Sequence, residues 1–375
     1  MRFFKNILAL SAKELRSLLG DPVLVVLIVF TFTGLVYSAA TGVSNDVKNA
    51  AVGIIDGDRS PLSRQITAAL LPPHFQTPVA VSREQADALL DKGELVFVLE
   101  FPPHFQRDVL LGREPQVQLL ADATTITQAG LGQAYISQIF HSEIIDFLQQ
   151  KQLIEEIMPV KPVVTLEFNP NASDVWPLAI MEVDNMIAMI TLVLVGAAVI
   201  RERERGTIEH LLVMPVGAAE IVLAKILANG LVICTVAVLS MRFMVGGLLQ
   251  VPLSGSLALF ALGTVIFMFS IAALAIMLAT LAPTMPQYSL LMMPVYIIAL
   301  MFSGSSSPRS NMPQAAQWIS EYWPTTQFVS FAQSVLLRGA GPELVWPQLL
   351  IMTITGALFL LLALVRFRKM LEKQG

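Results

Sequence analysis

One cysteine in 375 residues, Cys234, falls inside an apolar run, which excludes a disulfide framework and a cysteine-based metal site. It reads as a small packing residue. Only four histidines are present and charged residues make up 14% of the chain, so little material exists for clustered acid–base chemistry. No G-x-x-x-x-G-K-[ST] loop occurs, and with it goes the P-loop route to ATP. H-E-x-x-H and G-x-S-x-G are missing too, which removes zinc-protease and serine-hydrolase readings. The last three long apolar runs hold no Asp, Glu, Lys, Arg or His up to Val365. Ion-coupled carriers need such groups at mid-membrane, so secondary transport is disfavoured.

What the chain has instead is apolar length. Hydrophobic residues make up 55% of it and its mean hydropathy is +0.67. A spanning helix needs roughly 20 apolar residues, and six runs qualify: 21–43, 177–200, 221–249, 257–281, 288–304 and 346–366. The expected fold is a polytopic α-helical membrane protein with six transmembrane helices and an α/β extracytoplasmic domain inserted between the first and second. Three basic clusters set the orientation. Arg2, Lys5, Lys13 and Arg16 precede the first run; Arg201, Arg203, Arg205 and Lys225 lie between the second and third; Arg366, Arg368, Lys369 and Lys373 follow the last. With six spans all three fall on one side, so both termini and the tail 367–375 are expected in the cytoplasm. Leu8, Leu15, Leu18 and Leu19 space residues 1–20 as an amphipathic helix in the interface, ended by Asp21-Pro22, rather than as a cleaved leader.

The insert, 44–176, carries 17 acidic and 9 basic residues over 44–174, so the remaining chain is net basic. Ala51–Ile55 reads as a strand and Ser60-Pro61 as a helix start with proline at its first position. Ser82-Arg83-Glu84-Gln85 is a capping box opening a helix that ends at Gly93. Leu95–Phe101, Val117–Leu120 and Val163–Phe168 read as further strands, with a long helix from Thr127 to Gln152. Strand–helix alternation predicts a sheet covered by helices. A short repeat, Pro72–Gln76 and Pro102–Gln106, reads as two Pro-Pro turns that start helices, each with an aromatic anchor. His74 and His104 alone make too small a set for a metal, and none is expected.

The densest signal is the run from Arg201 to Pro215, directly after the second apolar segment. Alternating charges there can sit only in water or among headgroups. A short helix is predicted from Thr207, burying Ile208, Leu211 and Leu212 and stopping at Pro215. It reads as a docking element for a partner. Three charges lie inside spans: Glu182 and Asp184 in the second, Arg242 in the third. At 1.5 Å per residue their depths match, which predicts an ion pair between Arg242 and Glu182 or Asp184 near the outer mouth.

These residues resemble the permease subunits of ABC-2 type exporters, specifically the bacterial drug-efflux-like branch with a large periplasmic insert. The likeness rests on Arg201–Glu209, on Phe302-Ser303-Gly304 with Pro308–Pro313, on Trp323-Pro324-Thr325-Thr326 leading to Arg338-Gly339, and on Gly53–Ser60 and Phe101–Phe105 in the insert. It implies a pair of permeases, copies or paralogues, bound to cytoplasmic ABC ATPase subunits that bring the ATP, so that this chain is not itself an enzyme. Residues 201–220 then form the coupling segment, with Arg201, Arg203, Arg205, Gly206, Thr207, Glu209, His210, Leu211 and Pro215 as its contacts. Residues 305–345 form a re-entrant outer gate marked by Pro308, Pro313, Pro324 and Gly339, and residues 1–20 an elbow helix. His210, where the family leads one to expect Gln, bears on which ATPase fits. The polar Ser305–Ser307 bears on what passes the gate. The expected function is outward movement of an amphiphilic or drug-like substrate across the bacterial inner membrane, with a periplasmic membrane-fusion adaptor and no nucleic acid. A polysaccharide or lipid exporter, or a membrane-anchored sensor or scaffold, is the alternative; a cytoplasmic tail of about ten residues after Val365 disfavours signalling.

Overall fold

The computed structural model describes residues 2–42, 49–122, 126–151, 168–169, 173–204, 216–305 and 309–372. Its elements in chain order are α1 (Arg2–Leu19), α2 (Pro22–Gly42), β1 (Val52–Asp56), α3 (Pro61–Ala69), β2 (Val79–Ala80), α4 (Arg83–Asp91), β3 (Phe97–Phe101), α5 (Phe105–Leu110) and β4 (Gln118–Ala121). They continue with α6 (Ile126–Gln150), α7 (Val175–Glu204), α8 (Ala218–Leu248), α9 (Leu257–Ala279), α10 (Met285–Phe302), α11 (Gln314–Glu321), α12 (Pro324–Leu336) and α13 (Pro342–Glu372). Two compact units result, Met1–Gly42 with Leu166–Gly375, and Val43–Thr165.

In the first unit six helices are long and apolar enough to cross a membrane: α2, α7, α8, α9, α10 and α13. Their starts are set by local chemistry. Asp21 accepts the amides of Val23 and Leu24, with Pro22 at the first helical position of α2. α13 begins at Pro342, earlier than the apolar run alone suggests, and its basic end stays helical. α7 is the most enclosed span, packed by α2, α8, α9, α10 and α12. Small residues allow close approach, as membrane helices need where no hydrophobic force acts between them. A Cβ on Gly196 of α7 would lie 2.0 Å from the Tyr288 ring of α10, whose hydroxyl donates to the Leu192 carbonyl at 2.7 Å.

Two wide π-helical stretches, Thr31–Leu35 in α2 and Ser240–Leu248 in α8, lie against each other. The Ser240 hydroxyl donates to the Phe32 carbonyl at 2.5 Å, giving a polar partner to backbone that a wide turn disturbs. Between α10 and α13 the chain folds into α11 and α12. α12 is buried along nearly its whole length, with Phe328 stacked on Phe267 of α9 at 4.1 Å between ring centroids.

The second unit holds a four-stranded sheet in the order β2-β1-β3-β4, parallel except for β4. Alternate residues of β3 face opposite sides, as the period of two requires. Phe97, Leu99 and Phe101 enter the core under α3 and α6, while Val98 packs with Ala86 of α4. Ser60 caps α3, and Ser82 with Gln85 forms the capping box of α4, with Gly93 at φ +69° after it. The strand expected at 163–168 lies almost wholly outside the described residues.

The two Pro-Pro repeats differ in their backbone, against expectation. Only the second starts a helix, α5; in the first, Ala50 and Phe75 form a parallel bridge. Both phenylalanines are buried, so the shared role is the aromatic anchor. Gln106 of the second repeat also locks the loop after β1: its amide donates to Asp58 at 2.9 Å and its side-chain oxygen accepts from the Leu62 amide at 3.0 Å.

Candidate functional site

Where α1, the end of α7 and the start of α8 meet, three charges converge. Lys225, 2% exposed, reaches Glu14 Oε1 at 2.8 Å, Glu202 Oε2 at 2.9 Å and the Ala198 carbonyl at 3.2 Å. Lysine is rarely so buried, and it is tolerated here because all three ammonium donors find oxygens. α1 is held along α8 by two more bonds: Asn6 Nδ2 donates to Glu220 at 3.0 Å and the Ser11 hydroxyl to the Ala224 carbonyl at 3.2 Å. Glu220 also accepts the Gly217 amide, closing the first turn of α8. Two bonds tie the end of α7 onward to the start of α10: Arg203 donates to the Ala282 carbonyl at 3.2 Å, and Glu204 accepts the Met285 amide at 2.9 Å.

Arg201 lines a polar cleft of about 310 Å³ with Lys13, Ser17 and Asp21. Arg205, Gly206, Thr207, Glu209, His210, Leu211 and Pro215 lie outside the described residues, as does Pro308. What the structure does describe is the anchorage on both sides of that segment. The Glu14–Lys225–Glu202 cluster was not singled out from sequence, where Lys225 counted only as an orientation charge. Its signal was a lysine inside an apolar run, which needs a named partner.

The expected ion pair of Arg242 is not formed. Among the described residues none joins it to Glu182 or Asp184; Arg242 is exposed beside Phe243, while Asp184 is 2% exposed. A depth match leaves facing open: Arg242 lies on an exposed side of α8, in its π-helical stretch, while Asp184 lines a cavity inside the bundle. Glu182 accepts from Asn185 at 3.4 Å on its own helix. Of the residues expected at an outer gate, Pro313 precedes α11 and Pro324 opens α12, whose Thr325 and Thr326 hydroxyls donate to the Ala299 and Phe302 carbonyls of α10. Gly339 has φ +68° in the turn before α13, a conformation that favours glycine. No group of three or more His, Cys, Asp or Glu side chains that could hold a metal ion occurs among the described residues.

A bundle of six apolar helices, with a buried charge joint at one end and a folded insert after the first span, defines a polytopic helical membrane protein. Residues 23–365 match the sequence profile of the ABC-2 family transporter proteins, and the chain belongs to that family. It is 45% identical to the inner membrane transport permease YhhJ of Escherichia coli K12, over 98% of both chains. It is 27% identical to the probable multidrug ABC transporter permease YbhR of the same organism, covering 94% of this chain and 97% of that one. A further relative, the probable multidrug ABC transporter permease YbhS, is 22% identical over 98% of each chain. The chain is therefore a transporter permease rather than an enzyme.

Proposed function

We propose that this permease works as the membrane half of an ATP-driven exporter, moving an amphiphilic or drug-like substrate outward across the bacterial inner membrane. The observation that carries this reading is the joint at Lys225. Residues 201–220 contact a cytoplasmic ABC ATPase, and both ends of that segment run into the cluster formed by α1, α7 and α8. A push on the segment is thereby delivered to three elements that share one buried ammonium, rather than lost in a loose loop. The bonds from Arg203 and Glu204 carry it on to α10 and so toward α12.

In this reading the permease acts as a pair, of copies or paralogues, and both termini are cytoplasmic. The α/β unit lies in the periplasm, where it meets a membrane-fusion adaptor. Nucleotide is handled by the partner alone. The relatives described as multidrug permeases support a drug-like cargo. Co-purification with the ATPase, before and after removal of residues 207–214, tests the assignment. Association and transport both lost on deletion support it; full ATP-dependent activity without those residues refutes it.

A further inference from the structure

Asp184 of α7 is 2% exposed, and no protein donor reaches either of its carboxylate oxygens. It lines a cavity of about 10 Å³ closed by α7, α9, α10 and α12, room for one water-sized occupant. Around it stand Asn185, Ser303 and Thr325, and the hydrogens of both hydroxyls are committed elsewhere. The Thr325 hydroxyl donates to the Ala299 carbonyl at 3.2 Å, and the Ser303 hydroxyl to the Leu300 carbonyl at 2.7 Å. The Asn185 amide donates to Glu182 at 3.4 Å. Tyr296 also lines the cavity, and its hydroxyl makes no hydrogen bond to the carboxylate. The Ser303 and Thr325 hydroxyls are left with oxygen lone pairs rather than hydrogens to offer at a cavity that also holds a carboxylate. A buried charge needs a compensating charge or donors, and no protein donor reaches this one.

We propose that Asp184, Asn185, Ser303 and Thr325 bind a small alkali cation. An all-oxygen set suits a hard cation, and a single carboxylate balances one charge rather than two. The cavity is too small for an organic ammonium group. The ion ties α7 to the end of α10 and the first turn of α12, so it latches the bundle closed where the Trp323-Pro324 turn enters it. This site is independent of the Lys225 joint and of the ATPase reading.

The test is thermal unfolding of the full chain in phosphatidylcholine nanodiscs, in sodium, potassium or choline chloride at equal ionic strength. Binding to the folded state raises the midpoint, here by ~2 °C or more in sodium or potassium over choline, saturating with concentration. D184N abolishes the rise. T325V, which keeps the carboxylate and serves should D184N fail to fold, moves half-saturation several-fold higher. Equal midpoints in all three salts, or a cation response undiminished in both variants, overturns the site. A midpoint indifferent to alkali cations but falling as pH rises assigns a proton to the carboxylate and overturns it too.

Discussion

Replacing Lys225 by methionine keeps the length and apolar stem of the side chain and removes its charge. The ammonium is 2% exposed and lies 2.8 and 2.9 Å from the carboxylates of Glu14 and Glu202, which are 20% and 18% exposed. Breaking a buried ion pair by removing one partner costs roughly 3–5 kcal/mol, because the remaining charge is left uncompensated. Here water reaches part of both carboxylates, so the lower end applies, about 3 kcal/mol. Glu14→Gln alone leaves Lys225 with Glu202 and is expected to cost about 1 kcal/mol, the worth of an ordinary hydrogen bond. Neutralising all three positions removes the repulsion as well as the attraction, so the triple variant Lys225→Met, Glu14→Gln, Glu202→Gln should recover most of the loss. Denaturant unfolding of the reconstituted permease, read as a mutant cycle, measures these differences. Lys225→Met within about 0.5 kcal/mol of the unaltered protein, the usual range for surface changes, refutes the reasoning. So does a triple variant whose cost equals the sum of the singles. A second readout separates stability from transmission: where Lys225→Met folds, ATP hydrolysis by the partner should persist while transport falls.

Gly196→Ala should cost about 1–3 kcal/mol by overpacking against Tyr288, and less when Tyr288 is leucine; equal costs in both backgrounds would dismiss the contact. Gln106→Ala strands the buried Leu62 amide and should destabilise the α/β unit by about 1–2 kcal/mol, seen as faster amide exchange at the start of α3. Arg242→Leu should change stability by no more than about 0.5 kcal/mol, since the side chain is exposed and pairs with neither acid; a large loss in unfolding assays restores the ion pair.

Spans and caps were legible because each is written in a few neighbouring residues. Asp21 caps α2 by accepting the amides of Val23 and Leu24, and Ser82 to Gln85 closes a box within one turn. The parallel pairing of β1 with β2 and β3 was not legible, since register between distant strands leaves no local trace. The same holds for the charge joint: Glu14 and Lys225 are 211 positions apart, and only packing of α1 along α8 brings them together. The Pro-Pro repeat shows the converse. Identical pentapeptides took different backbones, because Phe75 pairs with the chain entering β1 while Phe105 opens a helix after β3.

The three intramembrane charges show why depth is easier to read than facing. Depth follows from counting residues along an axis, and a change of local winding shifts it by a fraction of a turn. Facing depends on the angle about the axis, which depth does not fix, and Arg242 lies on an exposed side of α8 within its π-helical stretch. No such stretch interrupts α7, and Asp184 stays on the inward face that places it against α9, α10 and α12. Once Arg242 is turned outward, the compensation that sequence reasoning assigned to Asp184 must come from elsewhere. The hydroxyls of Ser303 and Thr325 give their hydrogens to backbone carbonyls. With Arg242 turned away and no protein donor within reach, Asp184 keeps both carboxylate oxygens for the proposed cation.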